Sequence, residues 1–229
     1  MDFAAIETAT ELCSVALWRD GEIASLERRA GNRQGEFVLP MLDALLTRTG
    51  LRVDDLQAIA FGAGPGAFTG LRIACGVAQG LSFARNLPVI GVSTLEAVAE
   101  ESGASRVFVA LDARMQEVYY AAYERRAAGE SWRALLPAGC AAPDNLELPP
   151  GDGWLGCGSG FAQYPGSIET RLRSALAGTM PDVRPSAVAV ARLAAPRIAA
   201  GEGVDAALAM PHYVRDKVAL TQIEQAERR

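Results

Sequence analysis

One short pattern occurs twice in the sequence, 105 residues apart, and it narrows the fold more than anything else in the chain. An apolar run ends in a carboxylate and is followed at once by a tight turn and a second apolar run: residues 2–7 end at Glu7, and residues 107–112 end at Asp112. Runs of this length, bounded by turn residues, predict β-strands. After the first copy, strands are predicted at 13–18 and 22–29 with turns at 8–12 and 19–21, so three short antiparallel strands form a meander. The spacing then becomes helical over 36–49, strand-like over 57–61, helical over 69–85 after a glycine-rich turn, strand-like over 88–92 and helical over 94–101. The second copy opens with strands at 107–112 and 117–123 around a turn at 113–116. An interval of nearly half of the 229 residues predicts a duplicated unit of three strands, helix, strand, helix and strand. The meander and the later parallel strands then share one mixed sheet covered by helices, an α/β architecture.

The division is expected near 102–105, giving halves 1–104 and 105–229. The second half is less regular. Residues 137–166 concentrate proline and glycine and read as loops around one short strand at 154–157, whereas 188–200 is helical and accepts Pro196 in its last turns. The polar tail from 221 to 229 is expected to fray.

Small counts exclude several chemistries. Lys217 is the only lysine and has no glycine loop before it, so a Walker-A phosphate loop is absent. His212 is the only histidine, which removes paired-histidine metal sites and leaves a Ser/His/Asp triad a single possible base with no acid beside it. Cys13, Cys75, Cys140 and Cys157 form no Cys-x-x-Cys pair and are expected as buried free thiols. Lys and Arg total 22 against 27 Asp and Glu, a net charge of −5, so tight unaided binding to a nucleic acid is disfavoured. The arginine pairs at 28 and 29, 125 and 126, and 228 and 229 lack interleaved aromatics and read as solvated faces. No 18 apolar residues run together and no basic start precedes a long apolar stretch, so a cytoplasmic protein without a membrane segment is expected.

Three constellations have the form of ligand sites. Gly62-Ala63-Gly64-Pro65-Gly66-Ala67-Phe68-Thr69-Gly70 lies between a predicted strand and a predicted helix and satisfies a loose dinucleotide pattern. The acid needed about 20 residues on is missing, and a meander precedes the loop, so a tight turn packing the helix on the sheet is the better reading. Gly156-Cys157-Gly158-Ser159-Gly160 reads likewise as turn chemistry. Glu7 and Asp112 could face each other across a cleft and hold a magnesium nucleotide, or each could accept amides of its own hairpin turn.

The two helices of the first half carry a different message. From 37 to 46 the apolar residues surround the axis, and a sheet covers only one side of a helix. The second helix repeats this and adds Gly76 and Gly80 at a four-residue spacing that permits close helix approach. A partner surface is therefore expected on Phe37, Leu39, Met41, Leu42, Leu45, Leu71, Ile73, Gly76, Val77 and Gly80.

Ile6-Glu7-Thr8-Ala9-Thr10 with Cys13-Ser14-Val15-Ala16-Leu17, then Gly64 to Ile73, Gly91-Val92-Ser93-Thr94-Leu95 and Asp112-Ala113-Arg114-Met115, resemble the bacterial TsaB (YeaZ) family in order and spacing, as far as Tyr213-Val214-Arg215. The resemblance implies an actin-like (ASKHA) fold of two ribonuclease-H-like halves. It also implies a non-catalytic subunit without cofactor or metal, which dimerises with a TsaD-like catalytic subunit and works with a TsaE-like ATPase. The implied process is threonylcarbamoyl transfer to the adenosine beside the anticodon in tRNAs reading codons that begin with A, with tRNA met only through the complex and a homodimer formed by the chain alone. Glu7 stands where the family usually has Asp, Gln34 where many members have His, and Ala67 where Ser is usual, which argues against a surviving phosphate site. The alternative from another class is an ATP-dependent phosphotransferase of the actin-like superfamily.

Overall fold

The structure is a computed structural model that describes residues 1–127 and 129–215. Lys217 and the polar tail at 221–229 lie outside the described residues. The first sheet contains β1 (Asp2–Glu7), β2 (Leu12–Arg19), β3 (Glu22–Arg29), β4 (Ala58–Gly64) and β5 (Val89–Ser93) in the order β3-β2-β1-β4-β5. Strands β1 to β3 are antiparallel, and β4 and β5 run parallel to β1. The second sheet contains β6 (Arg106–Arg114), β7 (Glu117–Glu124), β8 (Arg133–Ala141), β9 (Trp154–Cys157) and β10 (Leu176–Met180) in the order β10-β9-β6-β7-β8. Counted from the start of each half, both orders are the same, 3-2-1-4-5, so the duplication extends to topology. Two ribonuclease-H-like mixed sheets joined in this way make an actin-like α/β fold.

Helices α1 (Gln34–Thr49) and α2 (Phe68–Phe83) cover one face of the first sheet, where Val38, Leu42, Leu45, Ala74 and Ala78 pack on Ile6, Val15, Ile59 and Phe61. Gly50 ends α1 at φ +69°, the left-handed conformation that glycine adopts without a Cβ penalty. Helix α3 (Thr94–Glu101) starts where the Ser93 hydroxyl accepts the Glu96 amide, and it crosses to the second sheet. There Leu95, Val98 and Ala99 pack on Val107, Val109, Ala121 and Cys157. Helix α6 (Ala187–Ala199) makes the reverse crossing: Ala187, Val190, Ala191 and Ala194 cover Phe3, Ala5, Ala60 and Ile90 of the first sheet. The strands divide between the sheets at the junction near 102–105, while the helix that closes each unit covers the other unit's sheet.

The outer face of the second sheet packs Phe108, Ala110 and Tyr120 against α4 (Ser159–Gln163) and α5 (Pro165–Leu172) through Phe161, Ile168 and Leu172. Here the sequence expectation of loops over 137–166 needs correction. Strand β8 runs through Pro137, which an edge strand tolerates because no ladder partner lies on its outer side. No α-helix follows it; a 3-10 turn at Pro143–Asn145 and a loop occupy the place that α1 takes in the first half. Strand β10, also at an edge, is largely exposed and has no apolar alternation to reveal it.

Candidate functional site

The glycine run after β4 is consumed by packing. A Cβ on Gly70 would stand 1.9 Å from the Thr8 carbonyl oxygen, and one on Gly66 would stand 2.6 Å from the Ala9 Cβ. The Thr8 hydroxyl donates to the Gly70 carbonyl at 2.7 Å and the Ala67 amide donates to the Ala9 carbonyl at 2.8 Å. The start of α2 is thus locked onto the β1–β2 turn. The second glycine bend behaves in the same way, since a Cβ on Gly156 would fall 2.4 Å from the Phe161 ring and Gly158 adopts φ +107° against the Ala110 carbonyl. No antiparallel meander precedes a dinucleotide loop, and the turn reading holds for both runs.

Glu7 and Asp112 occupy matching strand ends but different environments. Glu7 is buried; its Oε1 accepts the Ala9 amide at 2.6 Å, and its Oε2 has no hydrogen-bond partner. That oxygen faces Gly62 so closely that a Cβ there would stand 1.9 Å from it. Burial pushes the Glu7 carboxyl up to about 7, opposed by the amides of Ala9 and Thr8. Asp112 accepts the Arg114 amide at 2.9 Å and the Tyr164 hydroxyl at 3.4 Å, and an Arg114 guanidinium nitrogen lies 3.3 Å from its other oxygen. Each carboxylate therefore serves its own hairpin turn. A cavity of about 550 Å³ lies between the halves, and Asp112, Gln34, Phe68, Arg114, Tyr119 and Tyr213 line it. Glu7 is sealed away from it, so the two acids do not form a facing pair. Among the described residues no group of three or more His, Cys, Asp or Glu side chains is arranged to hold a metal ion.

The helical face expected for a partner is narrower than the sequence suggests. Leu42, Leu45 and Leu71 are buried in the core and are corrected from surface to core. A helix with apolar residues all round places part of them against its own sheet, and periodicity alone does not say which. Phe37 and Met41 on α1, with Ile73 and Val77 on α2, are half-buried at the edge of that core, and Leu39 is 51% exposed. The Arg28 guanidinium covers the Phe37 ring at 4.2 Å, so this side chain is less available than its hydrophobicity implies. Gly76 and Gly80 face outward, with nothing within 4 Å of a Cβ at either position. The helices approach each other where Ile73 comes within 3.6 Å of a Cβ position on Gly35. Phe83, counted in the sequence among the apolar residues of the second helix but not in the expected partner surface, is 83% exposed and continues the Gly76 and Gly80 face one turn further; its three-residue step from Gly80 is the signal that marks it.

A protein from Escherichia coli called tRNA threonylcarbamoyladenosine biosynthesis protein TsaB is 37% identical over 99% of this chain and 100% of its own length. The chain belongs to the TsaB family. A TsaB protein from Haemophilus influenzae is 37% identical over 73% of this chain and 76% of its own. The family model described as "TsaD: tRNA N6-adenosine threonylcarbamoyltransferase" matches residues 28–150. A solved structure of YeaZ from Pseudomonas aeruginosa is 38% identical, covers 93% of this chain and 99% of its own, and superposes with a TM-score of 0.84. The TsaB and YeaZ resemblance in the strand-end and glycine motifs thus extends through the whole fold, including the less regular second half.

Proposed function

We propose that this TsaB-family chain is a non-catalytic subunit that pairs with a TsaD-like enzyme and supports threonylcarbamoyl transfer to the adenosine beside the anticodon in tRNAs reading codons that begin with A. The observation that carries this reading is the outward face of α1 and α2. Gly76 and Gly80 form an open floor, Leu39 and Phe83 stand exposed on it, and Met41, Ile73 and Val77 are half-covered at its edge. Each large apolar side chain left in water forgoes roughly 1.5–3 kcal/mol of burial, so the face favours association. The TsaD-family match over residues 28–150 includes both helices, so a partner from that family would present a similar pair and the two could meet as a four-helix packing. Without that partner, two copies of this chain could pair through the same face. A TsaE-like ATPase would join the assembled complex. The absence of a lysine-bearing phosphate loop and the sealing of Glu7 support a role without chemistry. With net charge −5, the chain alone is expected to bind tRNA weakly, and to do so mainly within the complex.

The test is Gly76→Arg, which places a long charged side chain on the open floor. Circular dichroism should be unchanged, because nothing lies within 4 Å of the site. Sedimentation should show loss of the homodimer and of the complex with the TsaD-like subunit, and tRNA modification in cells should fail. Wild-type pairing of a folded Gly76→Arg variant refutes the reading. So does a complex broken by substitutions at Tyr119 or Trp154 in the second half but not by Gly76→Arg.

A further inference from the structure

After α6 the chain returns to the cleft, and residues 209–215 are held at both ends. On the first half, the Ala209 carbonyl accepts from Cys75 Sγ at 3.4 Å and from Gln79 Nε2 at 3.0 Å. The His212 amide donates to the Ala63 carbonyl at 2.6 Å, and the His212 carbonyl oxygen lies 2.7 Å from where a Cβ on Gly64 would stand. The Tyr213 ring meets Phe68 with centroids 5.5 Å apart, and its hydroxyl accepts from Arg72 Nε at 3.2 Å. Two residues later the chain has reached the second half. Arg215 pairs with Glu117, donates to the Arg114 carbonyl at 3.4 Å and sits 5.8 Å from the centre of the Tyr119 ring. Its side chain is 15% exposed and that of Glu117 39%, so the pair is partly shielded from water and salt.

The β6–β7 hairpin that Arg215 reaches adopts a costly backbone. Arg114, Met115 and Gln116 have φ values of +61°, +54° and +61°, and none is the Gly or Asn that such a turn prefers. Conformations of this kind persist where the surroundings over-determine them. Asp112 holds the Arg114 amide and Arg215 holds the Arg114 carbonyl, so the turn is gripped from its own strand and from the returning chain.

We propose that residues 209–215 are a strap that sets the separation of the two halves and links α2 to the β6–β7 hairpin across the mouth of the cleft. Its first anchors, Cys75 and Gln79, are neighbours of Gly76 and Gly80 on α2, so a protein seated on the outer face of that helix bears on the helix that holds the strap. The link to a partner rests on the function proposed above; the strap itself does not.

Hydrogen–deuterium exchange on the isolated full chain tests it. In Arg215→Ala the amides of 114–117 should exchange roughly tenfold faster, the loss expected for one charge-assisted contact, with Arg215→Lys intermediate. Tyr213→Ala, at the other end, should also speed exchange at 114–117. Both alanine variants should broaden the distance between spin labels placed on residues 47 and 169, in a chain whose Cys140 is serine. Glu117→Gln should reproduce Arg215→Ala without altering the strap, which keeps the test sound if a strap variant misfolds. If each variant loosens only its own end and the label distance is unchanged, Arg215 is a local clasp and the strap is refuted. On adding the TsaD-like subunit, exchange at 114–117 should slow in the wild type and not in Arg215→Ala. Failure of the subunit to bind counts against the partner reading alone, because the isolated-chain results stand without it.

Discussion

Replacing Glu7 by Gln isolates the energetic effect of one sealed carboxyl. In the folded protein burial holds this group neutral up to about pH 7, whereas in the unfolded chain it ionises near its ordinary value of 4.5. Between those values the folded state keeps a proton that the unfolded state has released, so stability is full below about pH 4.5 and falls as pH rises through 7. At about 1.4 kcal/mol per unit, the span corresponds to roughly 3 kcal/mol by the upper end of the window. Gln has the same shape, keeps an oxygen for the Ala9 amide and does not titrate in this range. Any fixed cost of its amide nitrogen against Gly62 is the same at every pH and cancels in the comparison. Urea unfolding of wild type and Glu7→Gln at pH 5 and pH 8 should show the variant gaining roughly 2.5 kcal/mol relative to wild type between the two conditions, the part of the span that lies above pH 5. Other buried acids such as Glu96, also pushed up by burial, contribute equally to both proteins. Parallel stability profiles for the two proteins would mean that Glu7 is hydrated or paired when the chain is folded, and would refute the reasoning.

Two further outcomes follow from the same contacts. Gly62→Ala should cost about 1–3 kcal/mol, because its Cβ collides with the Glu7 carboxylate, and adding the shorter Glu7→Asp should recover part of that loss in a thermal melt. Leu42→Ala should lower unfolding free energy by about 2–5 kcal/mol, while Leu39→Asp on the same helix should change it by no more than about 0.5 kcal/mol and weaken pairing in sedimentation.

The first half was legible because its buried strands are nearly continuous apolar runs between turn residues: Asp2–Glu7 matches the sequence expectation residue for residue, as do the exposed edge strand Glu22–Arg29, delimited by its hairpin turn, and the helix Thr94–Glu101. The second half lost that signal where its strands lie at sheet edges. Pro137 disguised β8, and Gly178 and Thr179 in β10 carry no pattern because both faces of that strand meet solvent. The open glycines on α2 were visible as a four-residue spacing, but the inward turn of Leu42, Leu45 and Leu71 depends on which side the sheet lies. The contacts of Tyr213 and Arg215 join residues about 100 or more positions apart in the chain, and no local pattern encodes them.

The crossing of α3 and α6 has a consequence for how the chain is born. Phe3, Ala5, Ala60 and Ile90 are in place early in synthesis, yet the helix that covers them begins only at Ala187. At the usual pace of translation, about 5–20 residues per second, that face waits roughly 5–20 s for its cover. During this interval that apolar face stays uncovered, so the first half is expected to complete its packing only after α6 has been made.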